Sequence, residues 1–166
     1  AGRLARGWEQ IKATVLESAR ESGLPVDAEL APYERCVSAS DFGFHNAVRR
    51  PAGKICFLDF EYAGWDDPAK MVGDFFSHPA VPVDIRYRDR FLARVMQFSA
   101  SANKLIVRSR LLFPVFQIKW CCIILNDFLV DSARRRRFAD SNFDETARKR
   151  SQLSKAGSLF ETIEMK

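Results

Sequence analysis

Residues 38–76 read SASDFGFHNAVRRPAGKICFLDFEYAGWDDPAKMVGDFF, and their punctuation decides the fold. Pro51-Ala52-Gly53 is a turn signal between the apolar runs Ala47-Val48 and Ile55-Cys56-Phe57-Leu58. Those runs are therefore expected as two short strands of a hairpin, with Cys36-Val37 as a further short strand upstream. Asp67-Pro68 then reads as a helix start. An Asp side chain accepts the free amides of a first turn, and Pro suits the first helical position, where no N–H is needed. This helix is expected to run to about Phe75.

Outward from that stretch the pattern is helical. Leu4, Trp8, Ile11 and Val15 recur at helical spacing before Gly23 and Pro25, which predicts an amphipathic helix over 4–22. Tyr87, Phe91, Val95 and Phe98 make a second stripe, and Leu153, Ala156, Phe160 and Ile163 a last one. Leu105 to Phe113 and Pro114 to Leu129 are expected as a kinked or broken pair, because Pro removes an intrahelical hydrogen bond. The expected fold class is mainly α with a small β-hairpin element (α+β). With 166 residues, 47% apolar and 14 Phe, the chain has the length and bulky hydrophobe for one domain over 1–166. Disordered, collagen-like and low-complexity classes are excluded by the same composition.

The net charge of +5 permits an anionic partner without requiring one. Its densest block, Arg134 to Arg137, lacks interleaved aromatic residues and any accompanying nucleic-acid motif, so a solvated face is expected and nucleic acid is not. The four cysteines show no C-x-x-C, and His45 and His78 have no zinc-ligand spacing. All four thiols are expected to be buried small hydrophobes of a reduced, cytoplasmic protein. Pro114, Gln117, Lys119, Asn126 and Asp127 interrupt the most apolar stretch, so no membrane span is expected.

The chemistry concentrates in the hairpin region. Asp41 is followed five residues on by Asn46, and Asp59 comes thirteen residues later at the end of an apolar strand. Phosphoryl transfer of the kinase type needs a loop carboxylate to take the proton of the attacking hydroxyl, and oxygen ligands for Mg²⁺ on the phosphates. A hairpin would return Asp59 beside Asn46. Residues 41–74 hold six acids against four bases in an otherwise basic chain, which suits a cation site. Asp41-Phe42-Gly43 also invites alignment with the metal-binding D-F-G of protein kinases. That alignment needs a D-x-x-x-x-N loop upstream, which Glu21 to Ala28 does not provide, and no A-P-E follows.

Residues 38–76 resemble the catalytic core of the aminoglycoside phosphotransferase and choline kinase superfamily, with its H-G-D-x-x-x-x-N loop, strand-ending Asp, G-x-x-D-P type turn and later helical Asp. The resemblance implies a protein-kinase-like C-terminal lobe using ATP and Mg²⁺ to phosphorylate a hydroxyl of a small molecule. Asp41 would be the catalytic base and Asn46 and Asp59 the Mg²⁺ ligands. Asp74 and His45 would support the loop, and no residue is assigned to nucleotide binding. Ala39 and Ser40 depart from the family's His and Gly. No G-x-G and no V-A-I-K type strand occurs, so half of an ATP site is expected from an upstream N-terminal lobe, which would precede Ala1, and the chain alone is expected to be inactive or nearly so. The alternative is a non-catalytic kinase-like binding module. An aromatic cage of Tyr62, Trp65 and Trp120 for a cationic head is conceivable, but core packing is the expected use.

Overall fold

The computed structural model describes residues 2–129 and 144–163. Among them are helix α1 (Gly2–Glu21), strands β1 (Cys36–Ser38), β2 (Ala47–Arg49), β3 (Ile55–Phe57) and β4 (Gly64–Asp66), and helices α2 (Pro68–Ser77), α3 (Arg88–Met96), α4 (Ala102–Ile124) and α5 (Glu145–Glu161). The architecture is mostly helical with two small two-stranded sheets. Strands β2 and β3 pair antiparallel, Ala47 opposite Phe57 and Val48 opposite Cys56, around a turn at Pro51–Gly53. Strand β1 pairs antiparallel with β4, Val37 opposite Trp65.

Helix α2 opens where its punctuation placed it: Asp67 Oδ1 accepts the Ala69 amide at 2.8 Å. Nearly all of α2 is buried. It lies against α4 so closely that a Cβ on Gly73 would stand 2.5 Å from the Phe116 ring, which is why a side chain is excluded there. Helix α4 also packs on α1, α3 and α5. Its Leu105 and Phe113 join Val72, Phe75, Leu92 and Met96 in one apolar cluster. Ile118 and Cys121 join Ile11, Val15, Phe160 and Ile163 in another. Burying a Leu or Phe contributes about 1.5–3 kcal/mol, so these two clusters carry the fold and fix α2 beneath the hairpin.

Several expectations are corrected. Helix α4 is one helix through Pro114, so the expected break does not occur there; one lost backbone bond is outweighed by apolar burial on both sides of it. Residues 102–128 are long and apolar enough to cross a membrane by length and composition, although four helices pack on α4 here. On α3 the buried residues are Leu92 and Met96, whereas Phe98 is 92% exposed beyond the helix end. On α5 Gln152 is buried and Leu153 is exposed. Cys121 is buried, but Cys122 is exposed and Cys36 and Cys56 are half-buried; all four are free. Strand β4 was not anticipated. Arg134 to Arg137 lie outside the described residues.

Candidate functional site

The segment after β1 turns sharply at Ser40, whose φ of 68° lies in the left-handed region. The Asp41 amide donates back to the Ala39 carbonyl at 2.9 Å, closing a γ-turn, and the Ser40 amide donates to Ser38 Oγ at 3.2 Å. Asp41 is thereby presented at the surface. Asn46 Nδ2 donates to the Asp41 carbonyl at 3.0 Å and lies 3.5 Å from Asp41 Oδ2, so the loop from 41 to 46 is closed on itself. That bond spends the amide nitrogen of Asn46 and leaves its Oδ1 as an acceptor.

The hairpin supplies the third residue. Beyond the Ala47–Phe57 pair, the Leu58 amide donates to the Asn46 carbonyl at 2.8 Å, so Asp59 follows directly on the last ladder bond beside Asn46. Asp59 has a φ of 61°, a left-handed conformation that Asp tolerates better than most residues. It is exposed, and among the described residues no basic side chain pairs with it. Left-handed non-glycine residues cost about 1–3 kcal/mol each and cluster at functional sites; two of the three among the described residues, Ser40 and Asp59, bracket the candidate site.

Two histidines stand under Asp41. His45 Nε2 is 3.2 Å and His78 Nε2 3.8 Å from Asp41 Oδ1. Their rings stack in parallel, centroids 3.7 Å apart and 4° between planes. His45 is confined on another side by Gly43, where a Cβ would be 2.7 Å from Nδ1. His78 Nδ1 accepts the Ala80 amide at 3.2 Å, which in the neutral ring puts the proton on Nε2, facing Asp41. The cluster of Asp41, His45 and His78 has metal-ligating atoms, but stacked parallel imidazoles hold their in-plane lone pairs in two separate parallel planes. A single ion at about 2.0–2.1 Å from both nitrogens would lie well outside both ring planes, so in this geometry the pair is a support for Asp41 rather than a ligand set. The oxygens of Asp41, Asn46 and Asp59 are of the hard type Mg²⁺ prefers, and no lysine or arginine among the described residues pairs with either exposed carboxylate, Asp41 or Asp59.

The support continues inward. The His78 ring meets Trp120 edge-on at 4.5 Å, and Trp120 Nε1 donates to Asp74 Oδ1 at 2.8 Å. Asp74 is 3% exposed and also accepts from Lys119 Nζ at 2.6 Å, with Lys70 Nζ 3.6 Å from its other oxygen. Lys70 also binds Asp66. Burial alone would lower the Lys70 pKa, but Asp66 and Asp74 outweigh it and hold it above the ordinary lysine value. Asp74 thus reaches Asp41 through Trp120 and His78. Asp67, besides capping α2, is bridged by Arg108 Nε at 2.9 Å.

Sequence reasoning missed His78 and Lys119. His78 had a readable signal, because it follows Asp74 by four residues and so returns to the same helix face. Lys119 had none. Trp120 is buried, as expected of core packing, while Tyr62 and Trp65 are exposed, so the three rings form no cage. Cys36 and Cys121 are each pushed up to about 11, mainly by burial, which keeps both as thiols at neutral pH rather than nucleophiles.

Burial also holds His78 below the ordinary histidine value of 6.5, and His45 lowers it further against the opposing pull of Asp41 and Asp74. Unfolded chains then bind the proton more tightly than folded ones, so this contribution to stability is complete above about 6.5 and is lost as pH falls through that value. Thermal melts at pH 7.5 and 5.5 are expected to show a fall in Tm that is smaller in His78→Gln. An equal fall in both proteins would remove His78 as its source.

No protein-family profile, curated protein or solved structure matches this chain.

Proposed function

We propose that this chain is the protein-kinase-like C-terminal lobe of an ATP- and Mg²⁺-dependent phosphotransferase acting on a hydroxyl of a small molecule. Asp41 takes the hydroxyl proton, and Asn46 Oδ1 and Asp59 hold the Mg²⁺. The observation that carries this reading is the closed arrangement of the three residues: the Asn46–Asp41 bond at 3.0 Å and the Leu58–Asn46 bond at 2.8 Å that returns Asp59 to the loop. When bound, Mg²⁺ would offset the phosphate charge. The loop's task is then positional, to hold the base and the metal ligands on one surface.

The two departures from the family pattern have local readings. Ser40 adopts the left-handed turn that a Gly would adopt without strain. Ala39 is buried and its methyl side chain offers no hydrogen bond in place of the family's His; the stacked His45 and His78 stand beside Asp41 instead. A nucleotide-holding partner lobe has a surface to cover. Val37, Trp65, Ile55, Leu58, Phe60 and Tyr62 are all exposed on or next to the two small sheets, apolar side chains that such a lobe would cover.

Mn²⁺ with ATP is a direct probe, because the paramagnetic ion broadens nuclear resonances near it. The amides of Asn46, Leu58 and Asp59 are expected to broaden first, and Asp59→Ala is expected to remove the effect while leaving the remaining spectrum in place. Broadening centred elsewhere, or unchanged by Asp59→Ala, would overturn the metal assignment. A non-catalytic kinase-like module gives the same broadening, and the phosphotransfer assay argued below separates the two.

A further inference from the structure

A cavity lies away from Asp41, Asn46 and Asp59. Between α1, the end of α2, α4 and α5 is a cavity of about 730 Å³, within the range of about 300–1,000 Å³ typical of small-molecule sites. It opens where the two apolar clusters meet: Phe76 and Phe113 come from one, Val15, Leu111 and Leu159 from the other. Apolar walls of this kind take a hydrocarbon body and give it no orientation.

The polar groups supply the orientation, and they are of one sign. Arg88, Arg110 and Lys155 line the cavity, and among the described residues no acidic one does. Arg88 Nε and Arg110 Nη2 share one carboxylate, Asp89, at 3.4 and 3.1 Å, and Arg88 lies over the Phe113 ring at 4.7 Å. Three cations facing one neighbouring acid leave an excess positive charge at the cavity. Farther in, Ser77 is 4% exposed and its Oγ has no hydrogen-bond partner among the described residues. A buried polar group without a partner is uncommon, and Ser77 points to a ligand or water that supplies one.

We infer that this cavity binds an amphipathic organic carboxylate, its hydrocarbon chain against Phe76, Phe113, Leu111 and Leu159 and its head group at Arg110 and Lys155. The inference does not rest on the phosphotransfer reading, since none of the residues assigned to that chemistry lines the cavity. His78 is the one residue common to the cavity wall and the surroundings of Asp41.

Isothermal titration with decanoate below its micelle concentration tests it, with decanol and decyltrimethylammonium as neutral and cationic amphiphiles of the same chain length. One decanoate is expected to bind per chain, at least about tenfold more tightly than either comparison amphiphile, because a charge-assisted contact at the head favours the anion alone. Arg110→Gln is expected to weaken decanoate by about tenfold. Ser158→Trp, at an exposed wall position on α5, is expected to block uptake with the circular dichroism spectrum unchanged. Absence of decanoate binding, equal binding of the neutral or cationic amphiphile, or undiminished affinity in Arg110→Gln would each overturn the inference.

Discussion

Asp41→Asn, made in a protein that joins this chain to the nucleotide-holding lobe of the proposed function, is expected to lower phosphotransfer turnover by about 10²- to 10⁴-fold, the range a positioned general base contributes. The substitution is close to isosteric and keeps the main-chain carbonyl that accepts Asn46 Nδ2. The loop therefore stays closed, and only the proton acceptor is lost. Binding of Mn²⁺ with ATP is expected to survive, since Asn46 and Asp59 remain, whereas Asp59→Ala is expected to lose both binding and turnover. A measured kcat for Asp41→Asn close to that of the unaltered protein would sink the assignment of the base. Absence of transfer from the unaltered joined protein to any hydroxyl substrate, with the metal site intact, would instead favour the binding module.

What was legible in the sequence was local. Pro51-Ala52-Gly53 forces a turn, so β2 and β3 and the return of Asp59 to Asn46 follow from spacing alone. Asp67-Pro68 carries its own capping chemistry, and α1 has a stripe over about three turns, with Ile11 and Val15 buried. The failures have one physical origin: they concern partners chosen by packing between distant segments. Strand β4 exists because Cys36 to Ser38 offers it a ladder, and three residues with an exposed Trp65 show no alternation to read. A stripe read at helical spacing is accurate to about one residue around the helix, which is why Phe91 and Val95 flank the core while Leu92 and Met96 fill it. Glu34 reads as an ordinary surface acid, yet it is 4% exposed and held by Lys104 Nζ at 2.7 Å, a partner 70 residues on. The site divides in the same way. Its exposed loop and hairpin were readable, and the His78–Trp120–Asp74 support behind it was assembled by the close approach of α2 and α4.

That support predicts the largest stability effect. Asp74→Ala is expected to destabilise the fold by about 3 kcal/mol, the lower end of the range for breaking a buried charge pair. The lower end applies because Lys119, 37% exposed, and Lys70, 29% exposed, are able to turn toward water once Asp74 is gone. Trp120 is not: its Nε1 bonds to Asp74 inside the core, and a buried donor left without a partner costs about 1–3 kcal/mol. Asp74→Asn separates these contributions. Its amide oxygen still accepts from Trp120, so only the charge attraction to two partly solvated lysines is lost, and about 1 kcal/mol is expected after solvent screening. Urea unfolding measures both. If Asp74→Asn were as destabilising as Asp74→Ala, the charge rather than the Trp120 bond would be what the core requires. The same variants test the route to the surface: Trp120 meets His78 edge-on and His78 stacks on His45 beneath Asp41. Asp74→Ala is therefore expected to move the imidazole resonances of both histidines, and Asp74→Asn to leave them nearly in place. Unmoved imidazole signals in Asp74→Ala would show that α2 holds the loop through the phenylalanine packing around Phe75 instead.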